Sequence, residues 1–237
     1  HINEYDLSTP FNVSTKTYAG DDEVCILNSG DTTLGPVNRV HDLEFSNDGL
    51  MLFVSRGDTT SDAGTLANRD RVFRFDLTSP YDVSTCAFAN QTSDLDTGTL
   101  QDGSNAGDIT EGTNNRLQGI EINNDGTKLF AIFHGHGTGQ DTRLLEYQLS
   151  TAYDLSTISI ITDAGIELND EVSNPQGIRF SPDGKRFWAV DHTGNSSTQD
   201  VTQISLDVAF STSSFTIDGT VSISSDITQP RGIAFSA

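Results

Sequence analysis

Positive charge is scarce in this chain. Against 34 Asp and Glu it carries 13 Lys and Arg, a formal net charge of −21 over 237 residues. That balance repels phosphate backbones and anionic lipid, so neither nucleic acid nor an anionic membrane surface is an expected partner. No run of about 18 apolar residues occurs, so no membrane-spanning helix is expected. Apolar residues make up 34%, a level that would suit a disordered chain if they were scattered; here they are tightly patterned. Two cysteines are too few for a disulfide framework. Cys25 and Cys86 are candidates for a single bond, with two buried thiols as the alternative. No stretch shows helical periodicity over about 11 residues. Residue 1 is His, with no charged and apolar leader behind it, so a mature or excised chain is expected. There is no Gly-x-Ser-x-Gly, no Cys–His setting for a nucleophile and no phosphate-binding glycine loop.

What is present is a repeat. Its first half reads HDLEFSNDGLMLFVS (41–55), QGIEINNDGTKLFAI (118–132) and QGIRFSPDGKRFWAV (176–190), with a shorter copy in RGIAFSA (231–237). Its second half reads INEYDLSTPFNVST (2–15), VFRFDLTSPYDVST (72–85), LLEYQLSTAYDLST (144–157) and the diverged VTQISLDVAFSTSS (201–214). Leu43/Phe45, Ile120/Ile122, Ile178/Phe180 and Ile233/Phe235 alternate with other residues, which is strand periodicity. Asp48-Gly49, Asp125-Gly126 and Asp183-Gly184 supply the positive φ of tight hairpin turns. A second strand follows each turn, then a variable loop. A third strand carries Tyr5, Phe75 and Tyr147, and its Asp-Leu-Ser-Thr-like ending lets short polar side chains bond back to the backbone. A fourth strand is expected at Thr17–Ala19 or Val24–Leu27, and at Ala87–Ala89, Ile158–Ile161 and Phe215–Ile217.

A four-stranded antiparallel unit repeated along a chain is the blade of a β-propeller. The repeat resembles propeller families whose blades read G-[IL]-x-F-S-x-D-G-x-x-[LF]-[FW]-V, including, distantly, the TolB-like and lactonase-like propellers. It is most similar to tandem GIxFSxDGxxLFV…VYEYxLSTPFDVST repeats of uncharacterised secreted and surface proteins. The Trp-Asp marker of WD-repeat blades is absent. The resemblance implies an all-β propeller of four-stranded antiparallel blades, four of them by the best count. Residues 1–237 then form one domain, with blades near 41–91, 118–165 and 176–220. The segments 231–237 and 1–27 share an incomplete blade. That blade lacks a second strand. A four-bladed ring with one three-stranded blade, a piece of a longer propeller, and a strand added by a neighbouring subunit all account for the count.

In such a ring the first strands line the central channel. His41, Gln118, Gln176 and Arg231 occupy one repeat position and are expected at the channel mouth, together with Asp42. Lactonase-like propellers place metal ligands near this mouth. A His-Gln-Gln-Arg ring suits hydrogen-bonded capping better than cation binding. His134 and His136 lie two apart, and His134 aligns with His192, beside Asp191; they are a candidate metal set against an incidental glycine-rich loop. Asp94, Asp96 and Asp102 make an acidic insertion where Ca²⁺ is conceivable, without the EF-hand spacing. Asn12, Asn90 and Asn195 are glycosylation candidates.

The expected function is a non-catalytic extracellular structural or adhesive module at a cell or virion surface. Self-association into fibres through open blade edges is expected, with glycans as further candidate partners. The alternatives are a metal-dependent lactonase-like hydrolase and a carbohydrate-binding propeller.

Overall fold

A computed structural model of the protein describes residues 1–27, 39–57, 70–95, 116–134, 142–168, 171–192 and 199–235, with backbone alone at 162–164. Four short strands come first: β1 (Ile2–Asn3), β2 (Tyr5–Leu7), β3 (Lys16–Tyr18) and β4 (Val24–Cys25). β1 pairs with β4 and β2 with β3, both antiparallel. Three four-stranded sheets follow. The first is β5 (Val40–Phe45), β6 (Met51–Arg56), β7 (Arg71–Asp76) and β8 (Ala87–Gln91). The second is β9 (Arg116–Ile122), β10 (Lys128–His134), β11 (Arg143–Leu149) and β12 (Ile158–Glu167). The third is β13 (Pro175–Phe180), β14 (Arg186–His192), β15 (Gln199–Leu206) and β16 (Phe215–Ser222). In each sheet the strands lie in chain order and every neighbour is antiparallel. The protein is therefore all-β and propeller-like. Residues 231–235 belong to no strand, and among the described residues no ladder joins them to β1–β4.

The second strands explain how the sheets stack. Side chains alternate across a strand, so Leu52 and Val54 point one way and Phe53 the other. Leu52 and Val54 pack with Cys25 and Leu27 of the N-terminal segment. Phe53 packs instead with Ile120, Leu129 and Tyr147 of the second sheet. β10 divides the same way. Leu129, Ala131 and Phe133 face the first sheet, while Phe130 and Ile132 join Ile178, Phe187 and Ile204 of the third. The core thus lies between sheets, and a middle strand buried on both faces reads as a continuous apolar run. The first strands β5, β9 and β13 run side by side at the inner edge. Gly119 and Gly177 allow this: a Cβ added at Gly119 would sit 2.9 Å from the Gly177 Cα, and one at Gly177 would sit 3.1 Å from the Gly232 Cα.

Two kinds of turn recur along the chain. In the hairpin between first and second strands, Asp48 and Asp183 accept from Ser46 and Ser181 hydroxyls at 2.6 Å. Asp125 accepts from the Thr127 hydroxyl at 2.5 Å. The following glycines, Gly49, Gly126 and Gly184, have φ of 70°, 72° and 67°. Between third and fourth strands, Asn12, Asp82 and Asp154 each accept the N–H two residues on at 3.1 Å, opening one-turn 3₁₀ helices at Val13–Thr15, Val83–Thr85 and Leu155–Thr157. Just before them, Tyr81, Tyr153 and, in the third sheet, Phe210 fold over the hairpin glycine of their own sheet.

Cys25 and Cys86 form a disulfide, Cα to Cα 5.6 Å across a sequence separation of 61 residues. Closing a loop of that length restricts the unfolded chain by about 4 kcal/mol in the chain-entropy model. The bond fastens the N-terminal segment to the first sheet.

Gly126→Ala is expected to cost roughly 2–4 kcal/mol, because its methyl overlaps the Tyr153 ring and φ is positive. Urea denaturation measures this; a loss below about 1 kcal/mol would mean that the ring yields freely.

Candidate functional site

The inner strands carry the densest chemistry. His41, Gln118 and Gln176 lie in one row at successive inner strands, with Arg231 of the 231–235 segment beside Gln176. His41 hydrogen-bonds the Gln118 side chain, and its Nε2 lies 3.1 Å from the Gly57 carbonyl. Arg231 donates to Gln176 Oε1 at 2.5 Å, and Gln176 Nε2 donates to Asn174 Oδ1 at 2.8 Å. The row is a chain of hydrogen-bonded side chains rather than a set of free ligands. Burial, and then the positive charge of Arg116, pushes the His41 pKa down, which keeps the ring neutral at pH 7.

One step along the strands lies a set of buried and half-buried carboxyls. Asp42 Oδ2 accepts the Ile120 N–H at 3.0 Å. Glu44 Oε2 accepts the Ile122 N–H at 2.8 Å. Glu121 accepts the Phe180 N–H. In each case a carboxyl on one inner strand satisfies a backbone amide of the next. Arg179 occupies the repeat position of Glu44 and Glu121 and reaches back to both, at 3.5 Å and 3.3 Å. Ala234 holds the same position in the short fourth copy. Asp42, Glu44, Arg179 and Ala234 border a cavity of about 350 Å³ lined also by Tyr81, Ile120 and Ile178.

Three carboxyls share one guanidinium there. Burial raises the Asp42 pKa to about 6 and the Glu121 pKa to about 8. Burial and the neighbouring Glu121 hold Glu44 well above the usual carboxylate range. Glu44 and Glu121 are hydrogen-bonded to each other, so the pair holds a proton near neutral pH. The first-strand text Leu-Glu-Phe and Ile-Glu-Ile shows a charged residue between apolar ones, which ordinarily reads as a solvated strand face. Sequence reasoning therefore missed Glu44, Glu121 and Arg179. The sign change from Glu to Arg at one repeat position was the available signal.

The other candidates are dispersed. His134 ends β10, half-buried, and lies opposite Arg116 on β9. Asp191 and His192 end β14 in the next sheet. The Asp191 carboxylate accepts the Asn174 N–H at 2.7 Å and the Ser173 N–H at 3.2 Å, so it caps the turn that enters β13. His136 lies outside the described residues, as do Asp96, Asp102 and Asn195. Asp94 is buried and accepts the Asp70 N–H at 3.2 Å. Among the described residues, the acidic, His and Cys groups that bring three ligand atoms within 4.8 Å of one another are Glu4, Glu23 and Asp82. Two of these already have structural partners: Glu4 accepts the Val83 N–H at 3.1 Å, and Asp82 caps the Val83–Thr85 turn. Asn12 is exposed at its turn. The Asn90 side-chain oxygen accepts the Leu155 N–H at 3.2 Å, which places this side chain between two sheets.

No family model matches this sequence, and no curated protein matches it. Among solved structures it is similar to the periplasmic gluconolactonase of Pseudomonas aeruginosa, with a TM-score of 0.46 and 15% sequence identity over 79% of this chain. The match spans 41% of that enzyme's length.

The inner carboxyls set a pH dependence. Their folded-state pKa values are raised, so the folded protein binds these protons more tightly than the unfolded chain does. Stability then falls as pH rises from the ordinary carboxylate range through the raised values, here from about 4 to about 8. For Asp42 alone the loss is on the order of 3 kcal/mol. The hairpin aspartates Asp48, Asp125 and Asp183 run the opposite way. Hydroxyl hydrogen bonds lower their pKa values, so their contribution is present above the unfolded value and lost as acid protonates them. Calorimetry from pH 3 to 9 is expected to show a maximal melting temperature near pH 5, and Glu121→Gln is expected to flatten the alkaline side. A wild-type melting temperature that climbs steadily from pH 5 to 8 would contradict this account.

Proposed function

We propose that this protein is a non-catalytic extracellular structural module that associates head to tail with copies of itself. One observation carries the proposal. Val13 stands in the 3₁₀ turn of the N-terminal segment and is 73% exposed, whereas Val83 and Leu155, at the same repeat position, are 4% and 0% exposed. Those two are covered by the preceding sheet or segment as well as by their own. At each internal junction a preceding side chain also accepts an amide of this turn. Glu4 accepts from Val83, Asn90 from Leu155, and Glu146 from Thr212 at 2.8 Å. Glu4 and Glu146 share a repeat position that in the third sheet is Gln203.

Gln203 and its neighbours have no following sheet among the described residues. Gln203 and Ser205 donate to Asp218, each at 2.6 Å, on an exposed face. This face and the Val13 turn are therefore the two ends of a repeating contact. Brought together between copies, they propagate a heterologous array. Brought together within one chain, with 231–235 at the inner edge, they close a four-bladed ring. The disulfide fits an oxidising, extracytoplasmic compartment. No helix among the described residues is long and apolar enough to cross a membrane.

Light scattering over a range of concentrations, paired with negative-stain imaging, separates the two outcomes. Self-association predicts a mass that rises above 25.5 kDa with concentration, and Val13→Asp is expected to lower the mass toward that of one chain. A mass of one chain at every concentration would refute head-to-tail assembly and favour the closed ring.

A further inference from the structure

The inner edge of the protein is tightly closed at two junctions and open at another. A Cβ on Gly119 would meet the Gly177 Cα at 2.9 Å, and one on Gly177 would meet the Gly232 Cα at 3.1 Å. A Cβ on Gly232 would have nothing within 4 Å among the described residues. The cavity of about 350 Å³ lies at this opening, with Asp42–Asn47 on one side and Ile233 and Ala234 on another. His41, Gln118, Gln176 and Arg231 do not line it, so it belongs to the hairpin end of the inner strands. Repeat positions show what the cavity lacks. Leu43 is 43% exposed, whereas Ile120 and Ile178 at the same position are 1% and 3% exposed. Ala234 stands where the other copies have Glu44, Glu121 and Arg179, so no long side chain reaches in from that segment. Asp42 stands where the other copies have Gly119, Gly177 and Gly232.

The lining has an acidic part and an apolar part. Asp42 Oδ1 accepts the Leu43 N–H at 2.9 Å and Oδ2 accepts the Ile120 N–H at 3.0 Å. No ion pair joins Asp42 to a cation among the described residues. Arg179 is shared between Glu44 and Glu121, at 3.5 Å and 3.3 Å. The cavity therefore has an excess of carboxyl over cation, and its unpaired carboxyl is one that the fold has partly desolvated. The apolar part is Leu43 and Ile233, with the rings of Phe45 and Tyr81 packed edge to face, centroids 5.4 Å apart.

We propose that this cavity binds a small primary alkylammonium ion, its nitrogen at Asp42 beside Glu44 and its alkyl chain along Leu43 and Ile233. An ammonium brings three donors, and each carboxyl keeps acceptor capacity beyond the amides it already holds. An anion would meet the repulsion of Asp42 and Glu44. A neutral apolar molecule would cover Leu43 and leave Asp42 without a counter-charge. A bare divalent cation would need more oxygen ligands than the amide-bound carboxyls offer, and would leave the apolar part uncovered. The site lies within one chain and does not rest on self-association. Binding is linked to protons. The charged groups that face Asp42 are Glu44 on its own strand, Glu121 on β9 and Arg179 on β13. Burial raises the pKa of the three carboxyls, and a bound ammonium favours their ionised forms. Binding therefore releases protons, tightens as pH rises, and offsets the alkaline loss of stability.

The probe is pentylammonium chloride, titrated into the intact protein and followed by isothermal calorimetry. Pentan-1-ol and sodium pentanoate are the neutral and anionic controls of the same length. Saturable binding at one site per chain is expected, at least about tenfold tighter than either control. It is expected to be several-fold tighter at pH 8 than at pH 5.5, and to raise the melting temperature more at the higher pH. Asp42→Asn, which keeps an acceptor for the Ile120 N–H and loses the charge, is expected to weaken binding at least about tenfold. Ala234→Arg, which puts a guanidinium at the repeat position of Arg179, is expected to abolish it. Asp218→Asn, on the outer strand β16, is expected to leave it unchanged. Absence of binding, equal affinity for pentan-1-ol, or unchanged binding in Asp42→Asn and Ala234→Arg would overturn the proposal. Equal loss in Asp218→Asn would show diffuse attraction to an acidic surface and also overturn it. A Gly-Lys-Gly peptide that bound as tightly as pentylammonium would overturn the small-molecule assignment in favour of a lysine side chain.

Discussion

A buried amide that its own sheet cannot satisfy is the constraint from which this architecture follows. Every sheet presents such groups to the sheet before it: Ile120 and Ile122, Leu155, Phe180, and Thr212. Every preceding sheet answers with a side-chain oxygen, from Asp42 and Glu44, Asn90, Glu121, and Glu146. An amide left without a partner in such a place costs about 1–3 kcal/mol. Hydrophobic burial makes stacking favourable without specifying a register. The acceptors specify it, since each reaches one particular N–H.

This arrangement gives part of the acidic composition a structural use. Asp42, Glu44 and Glu121 lie where the inner strands meet, and Arg179 pairs with two of them. Desolvated carboxyls are held there against their solvation preference. Perturbed carboxyls also mark catalytic sites, but here each carboxyl is engaged with a backbone amide of the neighbouring strand. That engagement favours a role as fastener over a role in proton transfer.

A repeating contact needs a first and a last member. At the N-terminal side the first turn leaves Val13 and Phe11 in solvent; at the other side the third sheet presents its Gln203 face and the half-buried Trp188, whose ring centroid lies 4.5 Å from that of Phe235. Val13, exposed at a repeat position where Val83 and Leu155 are buried, is therefore the feature from which the functional proposal is drawn. The disulfide stands at the junction of the N-terminal segment with the first sheet, where a short two-strand pairing alone holds little.

Much of the secondary structure was legible in the chain text, for local reasons. Period-2 alternation marked β5, β9 and β13, the Asp-Gly pairs marked the hairpins, and the Asp-Leu-Ser-Thr-like text marked the polar turns that end the third strands. These signals are read within a few residues of one another. The tertiary structure alone decided what requires two distant segments to meet. It chose the bonded state for Cys25 and Cys86, 61 residues apart. It turned Asp191 into a turn cap, and it showed that Glu44, Glu121 and Arg179, ordinary strand charges in the text, converge on one another. Strand periodicity says that a side chain faces a neighbouring layer; which backbone amide waits in that layer depends on how the sheets stack, and no local pattern encodes it.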